Sequence, residues 1–286
     1  MKTKYLKSYA KINLFLKVGK KIKKNNLHDV QSLVFLINLF DVIKIKKINR
    51  YKDQIKFLGR FNKNVLKSNN TIDKSMRMLR EKGFVKKNSK YSIEVTKNIP
   101  VFSGFGGGSS NAATIVKYFS KNRKLSFTDI SYFSEKIGSD FKIFLKSRQI
   151  YQENLIKIID LAKKHKFYFI LIYPYLKCST KHIYSNLKFF ERIKKESFFS
   201  NVSKSKILEK IKYNKNSLEK VAISKFPVIK DILLELRFTK GCQFSRLTGS
   251  GSACYGAFLT KKSADLGLKK IKKKFPKFWR VSSKTI

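Results

Sequence analysis

Cysteine is scarce in this chain of 286 residues. Its three cysteines, Cys178, Cys242 and Cys254, are spaced too widely for a zinc knuckle or a C-x-x-C pair, and their number is odd. This pattern excludes a scaffold held together by disulfides and favours reduced thiols.

Long apolar runs are missing as well. Lys4, Lys7, Lys11 and Lys17 interrupt the apolar residues near the start of the sequence, so we expect no signal peptide. The longest apolar run, at positions 167–176, has about ten residues and includes a proline, which is too short a stretch to cross a bilayer. We therefore expect a soluble, cytoplasmic protein with no membrane partner.

Acidic residues are few. The sequence has 18 Asp and Glu against 65 Lys and Arg, which gives a formal net charge of +47. Such an excess normally indicates a nucleic-acid or anionic-membrane partner. Here the lysines are spread along the whole sequence between apolar residues, as at 44–47 and 269–274, instead of forming one basic arm. We favour a biased composition with a solvated lysine surface over a dedicated nucleic-acid site, although the positive field would still attract an anionic substrate.

Glycine is concentrated in one stretch, at positions 100–113, which reads P-V-F-S-G-F-G-G-G-S-S-N-A-A. Gly104, Gly106, Gly107 and Gly108 fall within five positions. Glycine lets the backbone adopt positive φ angles and approach a ligand closely. A flexible turn is the alternative, but a turn seldom needs so many glycines.

The residues around the glycines indicate a strand, a loop and a helix in that order. Residues 91–95 alternate like a strand, and residues 112–119 have the apolar face of a helix. Free N–H groups at a helix start attract phosphate, and Ser109 or Ser110 would cap the helix or offer a hydroxyl to a phosphate or a metal. No lysine follows Gly108, which excludes a Walker loop, and the glycine spacing does not give the dinucleotide fingerprint.

The glycine stretch resembles the phosphate loop of the galactokinase, homoserine kinase, mevalonate kinase and phosphomevalonate kinase superfamily. Residues 9–18, Y-A-K-I-N-L-F-L-K-V, and residues 247–258, L-T-G-S-G-S-A-C-Y-G-A-F, are similar to two further motifs of that superfamily. The three motifs come in the expected order, and the resemblance covers nearly the whole sequence. It implies ATP-dependent phosphoryl transfer to a small alcohol, with ATP and Mg²⁺ required, by a monomer or weak homodimer.

The resemblance also implies the architecture. We expect an α+β, two-domain small-molecule kinase fold. Residues 1–150 would form an N-terminal ribosomal-protein-S5-domain-2-like domain that binds the nucleotide through the phosphate loop. Residues 151–286 would form a C-terminal ferredoxin-like α/β domain that binds the substrate.

Two residues are implied to be catalytic, Lys11 and Asp140. Lys11 and Asn13 lie on one face of the predicted strand, which by itself would indicate a solvated face. Asp140 follows Gly-Ser, where an aspartate is usually part of a turn or an N-cap. The resemblance instead implies that Asp140 accepts the hydroxyl proton, while Lys11 orients Asp140 and offsets charge on the moving phosphoryl group.

Further residues are implied to bind the nucleotide. They are Pro100, Gly104, Gly106, Gly107, Gly108, Ser109, Ser110, Asn111, Asn70 and Lys97. For Asn70 an N-cap is an equally good interpretation, and for Lys97 a solvated side chain is the alternative. The resemblance also implies that Ser110 contacts the metal.

The substrate-binding residues implied by the resemblance are Asn13, His28, Thr180, Tyr184, Gly249, Ser250 and Gly251. The member that the glycine loop resembles most acts on a cytidine-diphosphate-linked methylerythritol and places Gly-Tyr-His at the cytosine, where this sequence has Asn26, Leu27 and His28. Tyr184 would then supply the stacking ring, or be a half-buried helix residue. Thr180 would cap the helix that contains Tyr184, and a plain hairpin turn is the alternative for residues 247–258.

Two other functions stay open. Leu27 and Lys142 depart from the usual pattern, so a kinase of the same superfamily acting on mevalonate or homoserine is one alternative. A basic nucleic-acid-binding protein, favoured by the charge of +47, is the other.

Overall fold

The computed structural model describes residues 2–22, 27–193 and 201–286, which divide into two compact units. The first unit contains residues 2–10, 39–101 and 106–146, and the second contains the other described residues. Each unit is built from separate segments of the chain, so the division at residue 150 into a nucleotide domain and a substrate domain stays a prediction. Asn26, one of the positions compared with Gly-Tyr-His, lies within residues 23–26, which are outside the described residues.

Two long strands pass through both units, β1 (Lys4–Lys21) and β2 (His28–Ile48). The other elements of the first unit are β3 (Gln54–Leu58), α1 (Thr71–Glu81), β4 (Lys90–Thr96), α2 (Gly107–Phe119), α3 (Phe127–Ile137) and α4 (Phe141–Leu145). Those of the second unit are β5 (Gln149–Gln152), β6 (Ile158–Asp160), β7 (Tyr168–Tyr173), α5 (Thr180–Ser185), α6 (Lys204–Tyr213), α7 (Glu219–Lys225), α8 (Val228–Arg237), β8 (Cys242–Leu247), β9 (Cys254–Phe258), α9 (Lys261–Lys274) and β10 (Trp279–Lys284).

The first unit packs its helices against a small sheet. Residues 42–48 of β2 pair antiparallel with β4, and β4 pairs parallel with β3. Ile45 lies opposite Ile93, and both are buried, as is Ile72 on α1. Phe133 of α3 stacks on Phe141 of α4 with ring centroids 5.7 Å apart. Each fully buried large apolar side chain contributes about 1.5–3 kcal/mol.

The second unit contains an antiparallel sheet in the order β10, β7, β9, β8. Ile170 and Ile172 of β7 pack in one core with Leu236 of α8 and Ile271 of α9. Residues 32–35 of β2 pair with β5, which pairs with β6. Mixed helices and strands in this arrangement confirm the α+β expectation.

The N-cap interpretation of Asn70 is confirmed, because Asn70 caps α1 within a capping box. Ser126 caps α3 in the same way. Cys178, Cys242 and Cys254 are free thiols, as predicted. No helix within residues 2–22, 27–193 and 201–286 is long and apolar enough to cross a membrane.

Candidate active site

The glycine stretch leads directly into α2 in the first unit. Gly106 occupies the N-cap position with a φ angle of 73°, and no side chain caps the helix. The prediction that Ser109 or Ser110 caps α2 is therefore wrong, because both lie inside its first turn. The first N–H groups of a helix have no acceptor within it, so residues 107–109 present amides at this end.

Behind this first turn, the predicted nucleotide residues Lys97 and Asn111 are buried. Lys97 is 3% exposed and forms an ion pair with Asp41, which excludes the solvated alternative for Lys97. Asn111 accepts a hydrogen bond of 3.0 Å from Lys97 Nζ. A Cβ on Gly107 would lie 3.0 Å from Ile99 Cγ2, so the loop packs closely on the segment that precedes Pro100.

Asp140 lies at the N-cap position of α4, after Gly138 with a φ angle of 134°. Its carboxylate makes no capping hydrogen bond to α4, so the cap alternative for its side chain is wrong. Asp140 is partly exposed, which leaves its role as base a prediction. Asn70 does act as a cap, and its predicted contact with the nucleotide also stays a prediction.

In the second unit, Lys11 and Asn13 are 2% and 3% exposed, so their face of β1 is not solvated. Lys11 Nζ donates to Asn13 Oδ1 at 2.6 Å, and the same oxygen accepts from Gly249 N at 3.1 Å. Asn13 Nδ2 donates to Ser32 Oγ at 2.8 Å. Tyr255 donates to the Asn13 carbonyl at 2.8 Å. Asn13 therefore joins the lysine to the loop that contains Gly249.

That loop is the turn of the β8–β9 hairpin, and it contacts the start of the glycine stretch. Gly104, with a φ angle of 85°, is so close that an added Cβ would lie 2.0 Å from Thr248 O. Asn216 Nδ2 donates to the carbonyls of Leu247 and Gly249 at 2.9 and 2.8 Å. The motif does form a hairpin turn, which was the alternative interpretation. The contacts with Gly104 and Asn216 hold this turn closely.

Glu219 holds the same hairpin from α7. It accepts a hydrogen bond of 2.9 Å from Leu247 N. Burial raises the pKa of Glu219, and the Leu247 N–H lowers it in part.

Burial also raises the pKa of Cys242 to about 11, so this thiol is protonated at neutral pH.

Three rings gather near the predicted base-binding residues of the second unit. The His28 ring lies 5.5 Å from that of Tyr184 and 5.2 Å from that of Phe190, and the Phe190 ring is nearly parallel to it, at 18°. His28 Nδ1 lies 3.0 Å from the Gly19 carbonyl, and Leu27 is half exposed.

Thr180 also lies in the second unit. Its hydroxyl is 3.0 Å from that of Ser250. Ser179 caps α5, because its side chain accepts from His182 N. The prediction that Thr180 caps this helix is therefore wrong.

The described residues contain no group of three or more His, Cys, Asp or Glu that could hold a metal ion. Ser110 Oγ, 2% exposed, accepts from Ser8 Oγ at 2.8 Å and donates to the Tyr9 carbonyl at 2.7 Å. These bonds favour a structural role for Ser110 over contact with a metal. Mg²⁺ commonly binds through substrate phosphates and water, so it does not require a cage of carboxylates.

Sequence reasoning missed several residues of these clusters. The sequence motifs assign no role to Asp41, Ser8, Thr248 or Phe190. Asp41 did carry a signal, because a carboxylate inside an apolar strand needs a buried partner. The other three carry none, since their contacts join segments that are distant in sequence.

Comparison with known proteins agrees with this organisation. The models described as GHMP kinases N terminal domain and GHMP kinases C terminal match residues 70–143 and 199–277. A 4-diphosphocytidyl-2-C-methyl-D-erythritol kinase from Pelagibacter ubique is 38% identical, over 98% of each chain. The chain belongs to this family of GHMP kinases. A kinase of the same name from Wolbachia pipientis is 30% identical over the full length of both chains.

Solved structures show the same fold. A crystal structure of 4-(cytidine 5'-diphospho)-2C-methyl-D-erythritol kinase superposes with a TM-score of 0.74 at 20% identity, covering 99% of this chain and 100% of that one. The Methanococcus jannaschii mevalonate kinase gives a TM-score of 0.63 at 16% identity, covering 100% and 99%. The expected two-domain kinase fold is confirmed, and, as a kinase, the chain uses ATP as its phosphoryl donor.

Proposed function

We propose that the chain transfers the terminal phosphoryl group of ATP to the 2-hydroxyl of 4-diphosphocytidyl-2-C-methyl-D-erythritol, a step of non-mevalonate isoprenoid precursor biosynthesis. The observation that carries this proposal is the 38% identity, over 98% of both chains, to a kinase named for that substrate. The three motifs in order and the ring cluster at His28 support it.

The α2 end would hold the ATP phosphates. Backbone amides of residues 107–109 and the positive end of the helix dipole suit anionic oxygens. Pro100, Lys97 and Asn70 lie in the same unit and would complete the nucleotide site. Gly104 remains a predicted nucleotide residue.

Asp140 would accept the proton of the attacking hydroxyl, and Lys11 would offset charge on the phosphoryl group. Lys11 suits this role because Asn13 fixes its ammonium from one side at 2.6 Å. Phosphoryl transfer depends mostly on positioning and charge, so few reactive side chains are needed. When bound, Mg²⁺ would neutralise the ATP phosphates that carry it.

The base of the substrate would bind beside His28. A carbonyl can only accept, so the contact with Gly19 O places the proton of a neutral His28 ring on Nδ1 and leaves Nε2 as an acceptor. An acceptor suits the amino group of cytosine and disfavours the carbonyl that uracil has in its place. Tyr184 and the partly exposed Phe190 would supply aromatic surface in place of the tyrosine that Leu27 replaces.

The remainder of the substrate would bind along the β8–β9 hairpin. Gly249 and Gly251 allow close approach of the backbone, and the hydroxyls of Thr180 and Ser250 can donate to a diphosphate.

A substrate panel tests the proposal. Purified protein is assayed for ATP turnover with the cytidylated substrate, its uridine analogue, mevalonate and homoserine side by side. We expect the cytidylated substrate to give the highest kcat/KM, with the uridine analogue well below it. Preference for mevalonate or homoserine would instead assign the chain to another alcohol.

A further inference from the structure

A buried polar cluster in the first unit supports the first turn of α2. Its members Ser8, Asp41, Lys97, Ser110 and Asn111 are each no more than 3% exposed. Buried charges and polar groups are costly unless they are paired. A buried polar cluster of this size, directly behind a glycine-rich helix start, is therefore expected to have a specific role.

Asp41 is the centre of the cluster. Its Oδ1 accepts from Asn98 N at 2.7 Å and from Ile99 N at 2.8 Å. Its Oδ2 accepts from Lys97 Nζ and, at 3.0 Å, from Asn111 Nδ2. One carboxylate thus ties β2 to the segment after β4 and to α2.

The cluster continues from Asn111 to the chain start. Asn111 Nδ2 also donates to Ser8 Oγ at 2.9 Å, and Ser8 Oγ donates to Ser110 Oγ at 2.8 Å. Ser110 then donates to the Tyr9 carbonyl. Two adjacent residues of the first turns of α2, 110 and 111, are therefore held from both sides.

The helix start has little rigidity of its own. Gly106, Gly107 and Gly108 have wide conformational freedom, and no side chain caps α2. Charge-assisted hydrogen bonds are stronger than neutral ones, so the Asp41 carboxylate is the strongest tie on this turn.

We propose that Asp41 is a positioning residue for ATP, acting through Lys97 and Asn111 on the backbone amides at the start of α2. This inference rests on the proposed phosphate-binding role of that turn. Lys97 then serves the nucleotide by holding the loop. In Asp41→Asn, an amide NH2 group would take the place of the oxygen that accepts from the Lys97 ammonium and the Asn111 amide. Donors would then face donors.

The test compares Asp41→Asn with Asp53→Asn. Asp53 is a matched control in the same unit, because it accepts from Arg80 at 2.7 and 2.8 Å and from Tyr91 N at 2.9 Å. Both variants lose a largely buried ion pair, but Asp53 has no bond to α2. The dissociation constant of ATP, the KM of each substrate, kcat and the melting temperature are measured for both.

We expect both variants to melt at lower temperature, while Asp41→Asn weakens ATP binding by about tenfold to a hundredfold. The KM for the alcohol substrate should change little, and Asp53→Asn should bind ATP normally. Equal ATP affinity in the two variants would overturn the proposal, because Asp41 would then be purely structural.

Two further variants keep the outcome decisive. If Asp41→Asn does not fold, Ser8→Ala at the far end of the cluster is used, and unchanged ATP affinity there contradicts the proposal. Gly106→Ala tests the turn itself, because its φ angle of 73° disfavours a side chain. If Gly106→Ala binds ATP normally, the proposed phosphate site fails, whatever Asp41→Asn does.

Discussion

Gly104 has no room for a side chain, because its missing Cβ would overlap the Thr248 carbonyl at 2.0 Å. We expect Gly104→Ala to lower the free energy of unfolding by about 2 kcal/mol or more, from strain and displaced backbone. Gly83→Ala is the matched control, since Gly83 also has positive φ but its Cβ would lie 3.8 Å from the nearest atom, on Arg123. Urea denaturation measures both, and equal losses would show that the contact with Thr248 is unimportant.

Asp140→Asn tests the proposed base. Because a positioned base contributes about a hundredfold to ten-thousandfold, turnover should fall by that factor while ATP still binds. Asp129→Asn, which alters the capping box of α3, should keep turnover. Steady-state kinetics with calorimetric ATP titration make the comparison, and near-normal turnover by Asp140→Asn would eliminate the assignment.

His165 gives the fold a dependence on acid pH. Burial lowers its pKa from the ordinary 6.5, and its Nε2 has no hydrogen-bond partner among the described residues. The unfolded chain therefore binds a proton as the pH falls below about 6.5, before the folded one does, so the free energy of unfolding decreases there.

Melting temperatures measured from neutral to acid pH check this dependence. His165→Gln should flatten the curve below the ordinary pKa, while the same change at the exposed His182 should leave it as in the wild type. Identical curves for His165→Gln and the wild type would contradict the assignment.

At the scale of elements, α1 depends on its first residue. Asn70 accepts from Ile72 N and Asp73 N at 2.9 and 3.1 Å. We expect Asn70→Ala to cost about 1 kcal/mol, and Asn70→Ser, which keeps a capping oxygen, to cost less. Chemical denaturation gives both values. If ATP affinity falls in both variants alike, the amide of Asn70 also serves the nucleotide.

Elements with a strong local signal were predictable. Residues 91–95 alternate cleanly, and Asn70 has the side chain of an N-cap, so β4 and the start of α1 appear where expected. The unbroken length of β2 and the burial of Lys11 were not predictable. Both depend on strands and loops contributed from elsewhere in the chain, which no local pattern reveals.

The candidate site also contains residues with a local sequence signal and residues whose contacts come from distant segments. The glycines marked the loop before α2 because their spacing is a local property. Ser8, Thr248 and Phe190 escaped notice because their contacts join segments that are distant in sequence. The choice of cap at α2 and α5 was also missed, since Gly106 and Ser179 compete there with neighbouring serines and a threonine.

For the whole molecule, the charge of +47 should weaken the folded state by self-repulsion. Raising the ionic strength from about 0.01 M to about 0.15 M shortens the screening length from about 30 Å to about 8 Å, so the melting temperature should rise. Calorimetry in sodium chloride checks this. A flat or falling melting temperature would show that the lysines do not repel each other appreciably.

Nucleic acid offers the matching binding test. A solvated lysine surface predicts weak association with duplex or single strands that disappears at about 0.15 M salt. Fluorescence anisotropy with labelled strands measures it. Tight binding at that salt would contradict the solvated lysine surface and support a nucleic-acid site on it.

Phosphorus NMR of the wild-type protein with ATP and 4-diphosphocytidyl-2-C-methyl-D-erythritol follows the proposed phosphoryl transfer itself. A new phosphomonoester signal on the methylerythritol should form in step with ADP, while the cytidine diphosphate signals persist. Inorganic phosphate as the only new product, or no reaction at all, would contradict the proposed transfer.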